Sequence, residues 1–130
     1  MRKLLSASVL SLSLSLLALT LAGCGGGGGS SGAASNELDL GPSSFVQTSI
    51  ALSTGQALHL VDPQSTGGTH NLCLGQHGQC DANTTGPSEL HSPGMMISPG
   101  TTKDITFSAA GTYHITCTIH PSMNLTVTVP

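Results

Sequence analysis

Three observations predict an all-β fold, a Greek-key β-sandwich, for the greater part of this chain. Apolar and polar residues alternate strictly through Asn124-Leu125-Thr126-Val127-Thr128-Val129, the pattern of a strand with one buried face. Runs of the same period recur upstream, separated by Ser53-Thr54-Gly55, Ser98-Pro99-Gly100 and Ala109-Ala110-Gly111, which read as turns. No stretch of the exported chain keeps a helical period long enough to compel a helix.

In chain order, the first segment stands apart from that fold. Arg2 and Lys3 precede an apolar run from Leu4 to Leu21, broken only by serines and one threonine, so residues 1–23 read as an export signal. The run ends in Leu21-Ala22-Gly23-Cys24, which resembles the lipobox of bacterial lipoproteins. That resemblance implies cleavage before Cys24 and a diacylglycerol on its thiol. A transmembrane anchor is the alternative, but the run is short for a span and five glycines follow Cys24 directly. Lipid chains would hold the protein at a membrane, each buried methylene contributing about 0.8 kcal/mol.

Residues 24–37 form the lipidated cysteine and a Gly/Ser-rich tether, with too little apolar surface to offset the entropy of ordering. A dozen such residues span roughly 20 Å as a coil. Residues 38–130 are then one small domain. Its strands are predicted around Val46, Ile50 and Leu52 with Thr48 on their face, around Leu58 and Leu60, around Ile105 and Phe107, and through Tyr113, Ile115 and Cys117. Residues 75–97 are rich in Gly, Pro, Ser, Asn and Thr and read as a long loop. His59 and His114 alternate with apolar neighbours and should face solvent.

Charge excludes one class of function. Two of the three cations precede residue 4, leaving Lys103 against Glu37, Asp39, Asp62, Asp81, Glu89 and Asp104, so nucleic acid is not a partner. Phe45, Phe107 and Tyr113 are the only aromatics, and the core must be built from Leu, Ile and Val. So small a domain gains from a crosslink or a metal.

Chemistry concentrates in Cys117-Thr118-Ile119-His120-Pro121-Ser122-Met123, directly after a predicted strand. A thiolate, an imidazole and a thioether are soft ligands that suit copper better than calcium, magnesium or manganese, and two histidines, a cysteine and a long axial methionine mark electron-transfer copper. His70, in Thr69-His70-Asn71 after the Gly67-Gly68 turn, is the candidate for the second histidine. These motifs resemble the plastocyanin, azurin and amicyanin group of cupredoxins, from about Val46 to Val129. Ala110-Gly111-Thr112-Tyr113 is similar to the family's turn before the cysteine strand, and the two-residue gaps around His120 resemble the short amicyanin-type ligand loop. The 75–97 segment and the scarcity of aromatics depart from the family pattern.

The resemblance implies one type 1 copper cycling between Cu(I) and Cu(II), with His70 and His120 binding through Nδ1, Cys117 forming a short Cu–S bond and Met123 a weak axial one. It also implies that Asn71 supports the site by hydrogen bonding near the thiolate. With Cys24 lipidated, three thiols remain in an oxidising compartment and one must stay unpaired. A six-residue, glycine-containing loop separates Cys73 from Cys80, so these two are paired and Cys117 is left for the metal. A disulfide from Cys117 to either of the others is the alternative, and it leaves the spacing of His120 and Met123 unexplained. His77, His91, Met95 and Met96 could form a second, looser copper site, although no ligand spacing marks one and methionine often only fills gaps.

The functional expectation is one-electron transfer at the cell envelope by a monomeric, lipid-anchored blue copper protein, with the domain outside the cytoplasm and a partner redox protein. His120, between the small apolar Ile119 and Pro121, would be the electron port. No nucleophile, base or open coordination position is visible, so an enzyme is not expected. The rival expectation is a membrane-tethered protein that sequesters or delivers copper.

Overall fold

The computed structural model describes residues 36–66 and 68–130. The expected signal 1–23, Cys24 and nearly all of the tether lie outside the described residues. Nine strands form among the described residues: β1 (Glu37–Asp39), β2 (Ser49–Ala51), β3 (Ala57–Asp62), β4 (His70–Gln76), β5 (Gln79–Cys80), β6 (Met95–Ile97), β7 (Thr101–Thr106), β8 (Gly111–Cys117) and β9 (Asn124–Val129). The first strand thus begins one residue before the expected domain boundary.

Two sheets result. The smaller has the order β1-β3-β7; the larger has β2-β9-β8-β4-β5, with β6 also paired to β4. β1 runs parallel to β3 and β2 parallel to β9, and the remaining pairs are antiparallel. The chain changes sheet at every step from β1 to β4, between β6 and β7, and again between β7 and β8. These crossings make a sandwich rather than a meander, the predicted fold class.

The alternation works as the period of two demands. Leu125, Val127 and Val129 of β9 turn inward, as do Leu58 and Leu60 of β3 and Leu72 and Leu74 of β4. Phe107 and Tyr113 bring the two sheets together, their rings 4.9 Å apart between centroids and tilted by 59°. The Tyr113 hydroxyl reaches out of the core to donate to the Ala109 carbonyl at 2.8 Å, so the ring is buried without stranding its polar end. His59 and His114 lie on the outer faces as expected, His114 exposed and close to Thr126.

Two expectations fail. Val46 is 66% exposed and Thr48 is also exposed. The chain turns where the Gly41 N–H bonds the Ser44 carbonyl, and an isolated bridge from Leu40 to Phe45 carries the Phe45 ring inward. Phe45 and Ile50 are both buried although an odd number of positions separates them, so no single strand phase covers the stretch. The 75–97 segment is also less open than predicted. It holds β5 and β6, buries Leu90 in a short 3-10 helix over Ser88–Leu90, and is tied to β4 by a Cys73–Cys80 disulfide. Strands of two or three residues show no readable period, and pairing with β4 creates them.

The disulfide closes a short ring, with a sequence separation of 7. Its loss through Cys73→Ala with Cys80→Ala should lower stability by about 2 to 3 kcal/mol on the chain-entropy argument, read as a lower urea midpoint. On the smaller sheet, His59 Nδ1 lies 2.6 Å from the Asp104 carboxylate. That hydrogen bond raises the imidazole pKa above its ordinary 6.5; loss of solvent opposes it, and the charges of Asp104 and Glu37 add to the rise. A raised folded-state pKa means that the stabilisation is complete below the unfolded value and fades as pH rises through the folded one. An NMR titration should find His59 titrating above its ordinary value, and Asp104→Asn should bring it down.

Candidate metal centre

The register of the larger sheet builds the site. Leu72 of β4 sits opposite Cys117 at the end of β8. His70 lies two positions before Leu72, on the same face of the strand, and so comes to the inner side beside Cys117. The chain then turns back between β8 and β9: the Cys117 N–H donates to the Met123 carbonyl at 3.1 Å, and the Met123 N–H to the His120 carbonyl at 2.9 Å. Those two bonds fold residues 117–123 into a compact loop that places His120 over Cys117.

The result is a convergent donor set. Cys117 Sγ lies 3.8 Å from His70 Nδ1 and 3.7 Å from His120 Nδ1, and the two imidazole rings are 5.1 Å apart. Among the described residues, these three form the one group of three or more His, Cys, Asp or Glu side chains close enough to share an ion. Bonds of about 2.0 Å to nitrogen and 2.3 Å to sulfur, meeting near 120°, would put N and S about 3.7 Å apart. The spacing therefore fits a first-row metal in a trigonal N₂S set.

Burial sharpens the fit. His70 and Cys117 are fully buried, His120 is partly exposed, and Met123 is buried in the core at the end of the loop. Loss of solvent pushes the His70 imidazole below its ordinary pKa, helped by the nearby His120 ring and opposed by the Asp62 carboxylate. A neutral ring is the form that binds a metal. With Nδ1 turned to the metal the ring proton belongs on Nε2, which is buried without a hydrogen-bond partner. Nε2 faces Gly68, where an added Cβ would stand 3.6 Å away.

Asn71 links the ligand strand to the ligand loop. Its carbonyl accepts the Thr118 N–H at 2.9 Å, and its amide donates to Thr118 Oγ1 at 3.0 Å and to the Pro93 carbonyl at 2.8 Å. Its side chain therefore acts on the residue after the thiolate. Cys73 is bonded to Cys80, and Cys117 is the free cysteine among the described residues. His77 occupies the β4–β5 turn, His91 contacts the Gly86 carbonyl, Met95 packs partly against the core and Met96 is 55% exposed.

Sequence reasoning missed Thr116. Its buried hydroxyl accepts the Gly78 N–H at 2.9 Å and donates to the Met123 carbonyl at 3.2 Å. No signal in residue order marks it: Thr116 takes its polar place in the alternation of β8, and only the fold buries it between Ile115 and Cys117.

A family model described as copper binding proteins, plastocyanin/azurin family, matches residues 33–130. Similar solved structures include a reduced amicyanin variant, 21% identical over 72% of this chain and 80% of that one, with a TM-score of 0.55. A Cu(I) form of another amicyanin variant is 20% identical over 72% and 80%, with a TM-score of 0.55. Amicyanin from Paracoccus versutus (Thiobacillus versutus) is 20% identical over 72% and 79%, also at 0.55. At these identities the likeness is one of fold. No curated protein sequence matches the chain.

Asn71→Ala would leave Thr118 Oγ1 and the Pro93 carbonyl without their donor. A loss of about 1 to 2 kcal/mol is expected in denaturant unfolding of the metal-free protein.

Proposed function

Because the chain belongs to the copper-binding plastocyanin/azurin family and its cofactor is copper at one site, we propose that it is a type 1 copper electron carrier of the cell envelope. The observation that carries this reading is the convergence of His70 Nδ1, Cys117 Sγ and His120 Nδ1, with Met123 buried at the end of the same loop. When bound, copper supplies one-electron exchange between Cu(I) and Cu(II). The residues would hold it: His70 from inside the sandwich, Cys117 as the thiolate, His120 from the outer side and Met123 through its thioether.

His120 is the route for the electron. It is the least buried of the three convergent donors, and Ile119 beside it is 48% exposed and Pro121 is exposed. An apolar rim of this kind lets a partner approach the ligand edge without desolvating charge. Asn71 keeps the loop that carries the thiolate against β4. Binding and orientation are what these side chains would perform, which supports a carrier.

The proposed setting follows from the N-terminal sequence. An export signal over 1–23, lipidation at Cys24 and a Gly/Ser-rich tether would leave the domain outside the cytoplasm but bound to a membrane. Among the described residues no helix is long and apolar enough to cross a membrane. A monomer held at a membrane can meet a partner redox protein by diffusion, and an acidic surface favours a basic partner.

One observation favours the second reading, copper sequestration or delivery. Met96 is half exposed on β6, directly opposite Asn71 of the ligand strand, where a soft donor could receive or release Cu(I). A delivery protein surrenders copper to an acceptor protein, whereas an electron carrier retains it through repeated redox cycles.

Titration of the purified protein with Cu(II) should saturate at one equivalent and give an intense blue thiolate-to-copper band with narrow hyperfine splitting in electron paramagnetic resonance. Cys117→Ser should abolish both. A colourless protein, or a spectrum indifferent to that substitution, would rule out type 1 copper at this site.

A further inference from the structure

We propose that the β4–β5 hairpin is a clamp that positions the copper-ligand loop, with Gly78 and Asn124 as its positioning residues. This rests on the copper reading above but draws on contacts that belong to the metal-free protein. The hairpin turns at His77 and Gly78, with φ values of 53° and 77°. Positive φ at both central residues gives the tight turn whose twist suits a two-residue hairpin.

That turn is pressed onto the ligand loop. A Cβ added to Gly78 would stand 2.8 Å from Cβ and 2.9 Å from Cγ of Pro121, the residue that follows His120. Glycine is thus required twice, by its backbone angle and by the proline against it. Both N–H groups of the turn also lead to the loop. The His77 N–H donates to Asn124 Oδ1 at 2.8 Å, and the Asn124 amide donates in turn to the Pro121 carbonyl at 3.1 Å. The Gly78 N–H donates to Thr116 Oγ1, whose hydroxyl donates to the Met123 carbonyl.

The clamp is itself anchored. Gly75 pairs with Cys80 and Gln76 with Gln79, and the Cys73–Cys80 disulfide closes the base of the hairpin. The bonds within residues 117–123 set the curvature of the loop, and the hairpin sets where that loop sits on the sandwich. A metal site tolerates displacements of only about 0.5 Å in its ligands. An exposed loop that depended on the metal alone would have to be ordered at every binding event. The hairpin keeps His120 and Met123 in place beforehand.

The test compares Gly78→Ala and Asn124→Ala with Gly55→Ala. Gly55 also has a positive φ, of 82°, but an added Cβ there meets nothing within 4 Å. It therefore carries the backbone penalty without the contact. NMR of the metal-free protein would follow the His120 ring and the Met123 methyl group, and Cu(II) titration with electron paramagnetic resonance would follow the loaded site. Gly78→Ala should move both resonances, alter the hyperfine splitting and weaken Cu(II) binding by about tenfold, within the range that supporting residues command. Asn124→Ala should act in the same direction, and Gly55→Ala should match the unsubstituted protein. Unchanged resonances in Gly78→Ala, or in Asn124→Ala should the first variant not fold, would overturn the clamp, as would equal shifts in Gly55→Ala. The metal-free resonances judge the clamp without copper, so an unsubstituted protein that binds no copper would defeat the functional reading alone.

Discussion

Everything about the site depends on one register, the pairing of Leu72 with Cys117 between β4 and β8. Sheet register is discrete: a slip of one residue would turn every side chain of β4 to the other face. His70 would then point to solvent, and Leu72 and Leu74 would leave the core they now fill. The apolar packing that stabilises the sandwich therefore holds the metal-binding geometry at the same time. No separate device is needed to bring His70 to Cys117, although they are 47 positions apart.

That economy has a cost in polar groups. His70, Thr116 and Cys117 are buried where β4 and β8 meet the core, and buried polar atoms without partners are expensive. Thr116 avoids the cost by bonding on both sides. His70 does not, for its Nε2 has no partner and its charge is suppressed by burial. Such an orphan suits a residue whose other nitrogen is meant for a metal, since the neutral imidazole that burial enforces is the metal-binding form. On the outer face the logic reverses: His59, beside Asp104, is held more readily protonated and takes no part in the site.

The ligand loop and the β4–β5 hairpin illustrate two ways of ordering irregular chain. The loop is ordered from within by bonds among Cys117, His120 and Met123. The hairpin is ordered covalently, by Cys73–Cys80, and by pairing along β4. Segments without a hydrophobic period depend on such contacts, because they bury too little apolar surface to pay for their own ordering.

Much of this was legible in one dimension. Alternation in β3, β8 and β9 is a direct record of a two-faced sheet, so the all-β class and the inward residues could be read from residue order. The donor types were equally plain, since a Cys-His-Met run at two-residue spacing is local and needs no tertiary knowledge to be seen. Other features were not legible because they are made by partners distant in sequence. The phase break between Phe45 and Ile50 comes from the bridge to Leu40, and β5 and β6 exist only because β4 is there to pair with them. Thr116 and Asn124 look like ordinary strand residues until the hairpin turn is laid against them. Residue order by itself determined the periodicity and the chemical types of the donors, since both are local properties of the chain. Only the tertiary structure decided which donors converge and what braces them, because strand register and loop packing follow from minimising exposed apolar surface over the whole domain.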